Sequence, residues 1–300
     1  MEYPYQPYRK LITRFVVGLY FLILLLRACS YNLPDQLCHP VFIETGYDLS
    51  YWAIRISRVD WLLTHNFFAG ILFSVVLFAL CIPMFLFPRK RIYFIIFSIL
   101  FFILFAVSNI YLTHSQHYLA LLVISSFVFF GRSDKTFSLL WEGLRYYLCF
   151  LFASAFFLKF YNGGQFQWDL GYVVFREQMA TYLFLHPNSW LTQHLYSFFL
   201  LHPTIVNIGQ KVTFLFEGLF AVGFFTKKYD RLLMFSAFFI FITTMLFSDV
   251  FFIEQLLISF LILISPKQWQ RIDRSIKRIG GKPNKMPHKD NTSAIFNSSS

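Results

Sequence analysis

Apolar residues in this chain gather into long unbroken runs separated by short charged segments, with neither the alternation of a half-buried strand nor a one-sided helical stripe. Runs of about membrane-spanning length, ~17–25 residues, fall at Leu11–Leu26, Asn66–Phe87, Ile92–Leu112, Tyr118–Phe130, Gly143–Tyr161, Ile205–Phe225, Leu232–Ser248 and Val250–Ile264. The first and fourth are short, and Asp249 alone separates the last two. Asn162-Gly163-Gly164 ends the fifth run with a helix-terminating signal. Phe166 to Pro203 is too long for a plain connection. Within it, Trp190–Leu201 lies between His186-Pro187 and His202-Pro203 and is too short to span, so it reads as an interfacial or re-entrant helix capping the outer end. The pattern predicts an all-α, polytopic transmembrane helix bundle of about eight spans, both termini on one side.

Composition agrees: of 300 residues 57% are hydrophobic, 22% aromatic and 14% charged, with forty-two phenylalanines. Soluble domains carry about a quarter charged residues. The net charge of +11 does not point to nucleic acid, because the basic residues sit between apolar runs and in the tail. With a cytoplasmic N-terminus, 20 of the 26 Lys and Arg residues fall on the inner side, as the positive-inside rule requires. Arg27 follows the first run and spoils a cleavage site at Ala28-Cys29, so that run reads as a signal anchor. Residues 1–265 form the transmembrane domain in this reading. Residues 266–300 are a basic, largely disordered cytoplasmic tail, without structure beyond about Gly280-Gly281.

Candidate chemistry lies where charge meets the apolar runs. Lys159 ends the fifth run, and an intramembrane ionisable residue is a functional candidate by default. The plain alternative is a lysine that snorkels to the headgroups. Counting ~1.5 Å per residue, Glu254 lies about 6 Å and Lys211 about 9 Å below the outer ends of their runs, matching Lys159. These three, with Asp249, His114 and His117, are expected to converge in an outer-leaflet pocket, where a desolvated lysine suits a general base. Glu217 lies about 18 Å down by the same rise and is expected to pair with an inner-leaflet partner such as Arg14 or Arg145. Seven of the eight histidines fall on the outer side. His114 and His117 are three apart but lack a third ligand, so no metal site is predicted. Cys29 and Cys38 form an external pair that is either a disulfide or two free thiols. Cys81 and Cys149 read as small packing residues.

The residues also resemble a family. Ala155-x-x-x-Lys159 followed by Trp168-x-x-Gly171, Phe216-Glu217-Gly218, the run led by Arg231 and the ending Ile264-Ser265-Pro266 look like the horizontally transferred transmembrane (HTTM) domain, the membrane part of vitamin K-dependent γ-glutamyl carboxylase. Upstream, Arg14-Phe15-x-x-Gly18, Asp60-Trp61 and His117-Tyr118-Leu119 look similar, and the resemblance covers roughly residues 8 to 270. It implies a base at Lys159 and a contributing histidine at His117, with His114 as the register alternative. Trp168, Lys211 and Glu254 are then candidate cofactor contacts, and the implied cofactor is a reduced, vitamin K-like quinone. Two departures stand against carboxylation itself. Ile242-Thr243-Thr244 occupies the place of a histidine common in relatives, and the polar, basic stretch after the last run leads to the expectation of no counterpart to the carboxylase's large following domain.

Two functions follow. One is a membrane enzyme using a lipid-soluble, quinol-like cofactor in an outer pocket around Lys159. The other is a non-catalytic membrane subunit for partner binding or assembly, or a small transporter, in which the polar residues satisfy one another. The partners expected are membrane lipid and a membrane or periplasmic protein, not nucleic acid.

Overall fold

A computed structural model describes residues 3–37, 49–111, 119–248 and 253–279. Of the described residues 86% are helical, and none lies in a strand. The helices are α1 (Arg9–Cys29), α2 (Leu49–Ser57), α3 (Val59–His65), α4 (Phe67–Leu86), α5 (Arg91–Tyr111), α6 (Leu119–Phe127), α7 (Asp134–Tyr161), α8 (Leu170–Leu185), α9 (Ser197–Leu201), α10 (Pro203–Leu219), α11 (Asp230–Ser248), α12 (Ile253–Leu263) and α13 (Pro266–Ile279). The chain forms two compact units, dividing between Ile264 and Ser265. In the second unit the described residues form α13.

Among the described residues, six helical stretches are long and apolar enough to cross a membrane: Gln6–Gln36, Phe67–Leu86, Arg91–Ser108, Asp134–Tyr161, Pro203–Phe224 and Asp230–Phe247. The fourth and eighth predicted runs give shorter apolar helices, Leu121–Phe130 and Ile253–Leu263. The 11 residues of α12 rise about 16 Å, roughly half of a ~30 Å hydrocarbon core.

Local signals explain most boundaries. Ser133 caps α7, its hydroxyl accepting from Thr136 N at 3.0 Å, and Asp134 favours the first turn. The helix therefore runs from Asp134 onward, beginning well before the predicted start of the fifth run at Gly143. Its far end matches expectation: Asn162 closes the helix and Gly163 takes φ +71°, a left-handed conformation natural only to glycine. In the expected interfacial element, a π-helical turn, Leu191–Tyr196, runs into α9. Hydropathy did not predict α8, because Arg176 and Glu177 break its apolar run. Its buried stripe is nonetheless helical in spacing: Tyr172, Phe175, Met179 and Tyr182 pack with Tyr196, Phe199, Val206 and Phe247.

In the first unit, α1, α4, α5 and α6 pack as sequential neighbours, and α7, α8, α10 and α11 pack together around α10. The short α12 touches α1, α6, α7 and α11, joining the two groups. Rings fill the first group: Tyr20 stacks on Phe97 at 5.2 Å and Phe94 on Phe129 at 4.8 Å. Hydroxyls bond helix to helix there, Tyr20 Oη with Ser125 Oγ and Ser98 Oγ to Ser126 Oγ, each at 2.6 Å. Such bonds hold apolar helices together where water exclusion gives no extra driving force. At the other end of α1, Arg9 donates to Asp134 at 3.1 Å and to Gly131 O at 2.9 Å, tying the N-terminus to the start of α7.

Candidate functional site

The site is built where α7 lies against α10. Phe156 stacks on Phe214 with centroids 4.4 Å apart, and Phe152 meets Phe220 at 4.3 Å. Gly218 makes the approach this close, since a Cβ there would lie 2.9 Å from Phe156 Cε2. That packing sets the vertical offset of the two helices. It brings the last turn of α7 level with the middle of α10 rather than with its start.

As a result, Lys159 Nζ donates to Glu217 Oε1 at 2.5 Å. The expected inner-leaflet partners are engaged elsewhere. Arg145 chelates Asp230 through Nε and Nη2, the latter at 2.5 Å, and donates to Gly223 O and Thr226 O at 2.9 and 3.0 Å. Arg14 lies over the Phe85 ring at 5.6 Å. The depth count for Glu217 failed because it assumed that α7 and α10 end at one level. The first turns of α10 rise past the end of α7, so Glu217 lies about one long side chain below Lys159. Thr213, one turn before Glu217, bonds to Gly209 O and to Thr243 Oγ1.

The pair is asymmetric. The Lys159 side chain is 37% exposed and that of Glu217 only 7%. Among the described residues, Glu217 Oε2 has no hydrogen-bond partner. The arrangement presents an ammonium open on one side and a buried carboxylate with one oxygen free to accept. It can bind a hydroxyl-bearing ligand, or pass a proton between Nζ and Oε1.

Lys211 sits above the pair on α10 and donates to the carbonyls of Gln165 and, at 2.6 Å, Gln167. This pins the segment leaving α7 onto α10. The Gln165 side chain is buried there, its Oε1 without a partner among the described residues. Trp168, just beyond, is 56% exposed.

The expected convergence is only partial. Lys159, Lys211 and Trp168 belong to one region, but Glu254 belongs to another wall. Arg27 of α1 holds Glu254 at 2.7 Å and 3.0 Å, donates to Ser108 Oγ at 3.2 Å and lies over the Phe105 ring at 4.3 Å. Glu254 is thus the charge partner that lets Arg27 sit between α1, α5 and α12, and Lys159 has Glu217 instead. His114, His117 and Asp249 lie outside the described residues, as do Cys38 and residues 280–300. Among the described residues no group of three or more His, Cys, Asp or Glu approaches metal-binding geometry.

The backbone carbonyls of Gln165 and Gln167 and the partnership of Lys159 with Glu217 were missed from sequence. The one available signal was Gly218 directly after Glu217, which marks a close helix approach. Six long apolar helices among the described residues, with charges paired from helix to helix, are those of a multi-pass helical membrane protein. No family model, no curated protein and no solved structure matches the chain.

Proposed function

We propose that this is a membrane protein of the HTTM type that uses the Lys159–Glu217 pair to handle a proton of a lipid-soluble, quinol-like cofactor. In this reading it lies in the cell membrane with about eight spans and both termini in the cytoplasm. The observation that carries the proposal is the pair itself: an open ammonium 2.5 Å from a buried carboxylate whose other oxygen has no partner among the described residues. A structural ion pair gains nothing from such a free oxygen, since buried lone pairs left unpaired cost about 1–3 kcal/mol. A reduced quinone would supply an acidic hydroxyl. Glu217 Oε1 can take the proton from Nζ, leaving a neutral amine able to accept the ligand's proton on its open side. Trp168 and the Lys211-held segment then form the outer rim. Histidine help from His117 or His114, and a membrane or periplasmic protein partner, belong to the same proposal.

Arg27 with Glu254 and Arg145 with Asp230 favour a second reading, in which the charges are structural and the bundle is a non-catalytic assembly or partner-binding subunit, or a small transporter.

Lys159→Arg separates the two. Guanidinium pairs with Glu217 but cannot release its proton at biological pH. The proposal expects a protein of normal membrane abundance that binds short-chain quinol in nanodiscs yet fails to complement a deletion strain. Full complementation, or no saturable quinol binding by the wild type, would overturn it. A reporter fused after Ser300 tests orientation, and efficient activity of a periplasmic reporter there would reverse it.

A further inference from the structure

A second candidate surface lies on α13. Ile264 and Ser265 alone separate α12 from α13, and two residues reach at most about 7 Å. The helix therefore begins directly after the last apolar helix of the chain. Its sequence, PKQWQRIDRSIKRI, divides sharply. Trp269, Ile272, Ile276 and Ile279 recur at helical spacing along one stripe, and Lys267, Arg271, Arg274 and Arg278 along the opposite one. The one acid, Asp273, is engaged by Lys277 at 2.6 Å. Trp269 is buried, but the apolar stripe opens toward the C-terminal end, where Ile276 is 45% and Ile279 88% exposed.

We propose that α13 lies along the membrane surface and binds anionic lipid headgroups with its basic stripe, while Ile276 and Ile279 dip into the headgroup boundary. Charge complementarity selects this occupant. Four cations on one stripe, with the already paired Asp273 the sole acid within α13, suit a dense negative surface. An in-plane helix with aliphatic residues on one face and Lys and Arg on the other is the form that binds such an interface. Placing the basic residues opposite the apolar stripe also lets their long stems bend around the helix toward the headgroups. The inference is independent of the Lys159 chemistry and of which side of the membrane the tail occupies.

Hydrogen exchange on the full chain in nanodiscs tests it, comparing phosphatidylcholine alone with phosphatidylcholine containing phosphatidylglycerol. Each basic residue near an anionic surface contributes about fivefold in partitioning. The amides of residues 266–279 should therefore exchange at least about tenfold more slowly in the anionic discs. High salt should remove the difference. The variant K267Q/R271Q/R274Q/R278Q should lose it too, while α4 and α7 keep wild-type protection and so report an intact fold. Ile276→Ser with Ile279→Ser should speed exchange in both lipids. Equal exchange of wild-type α13 in the two lipids, or an anionic-lipid effect that survives loss of the four charges, would overturn the proposal.

Discussion

Because the two members of the Lys159–Glu217 pair are buried so unequally, removing one should not cost the same as removing the other. Lys159→Met leaves the Glu217 carboxylate, 7% exposed, without its only partner among the described residues. Breaking a buried pair in this way costs about 3–5 kcal/mol. The cost is capped near 4 kcal/mol, since neutralising an ordinary glutamate at pH 7 requires about that much. Glu217→Gln leaves an ammonium that is over a third exposed and still has an amide oxygen to donate to, so its loss should be about 0–1 kcal/mol. The double variant removes the orphaned charge and should recover most of the Lys159→Met deficit, giving a coupling of about 2–3 kcal/mol. At about 2–4 °C per kcal/mol, Lys159→Met should melt ~8–15 °C below wild type and Glu217→Gln within ~3 °C of it. Fluorescence-detected size exclusion after heating in detergent measures both. Equal shifts for the two single variants, or a Lys159→Met protein melting with wild type, would refute the assigned burial.

Three further outcomes follow from the packing. Arg145→Met should be among the most damaging single changes, because it orphans Asp230 and strips donors from Gly223 O and Thr226 O, a loss of about 3–5 kcal/mol; near-normal melting would disprove that this network closes the turn between α10 and α11. Gly218→Val should cost about 1–3 kcal/mol by driving a side chain into Phe156. It should also weaken quinol binding if the α7–α10 spacing forms the site, and unchanged melting would show that the helices do not approach as described. Cys81 and Cys149, 4% and 0% exposed, should resist maleimide in native membranes, and labelling of either at the rate of a surface thiol would contradict their burial.

Much of the architecture was legible in sequence, because hydropathy summed along a helix is a local property. Every predicted apolar run lies in or overlaps a helix, the terminator after Lys159 falls at Asn162 and Gly163, and the short element before His202 is helical. Where charges interrupt the apolar pattern, as in α8 and the first turns of α7, hydropathy alone missed the helix, and only capping or a buried stripe could have marked it. The identity of the charge pairs was not legible at all. Glu217 meets Lys159, and Glu254 meets Arg27 across 227 positions, for a reason that no single segment contains. The vertical offset of α7 and α10 is set by Phe156 seating against Phe214 and the bare face of Gly218. Counting depth along each helix separately cannot recover that offset, because a slide of one turn costs ring packing between helices while leaving each helix's own hydropathy unchanged.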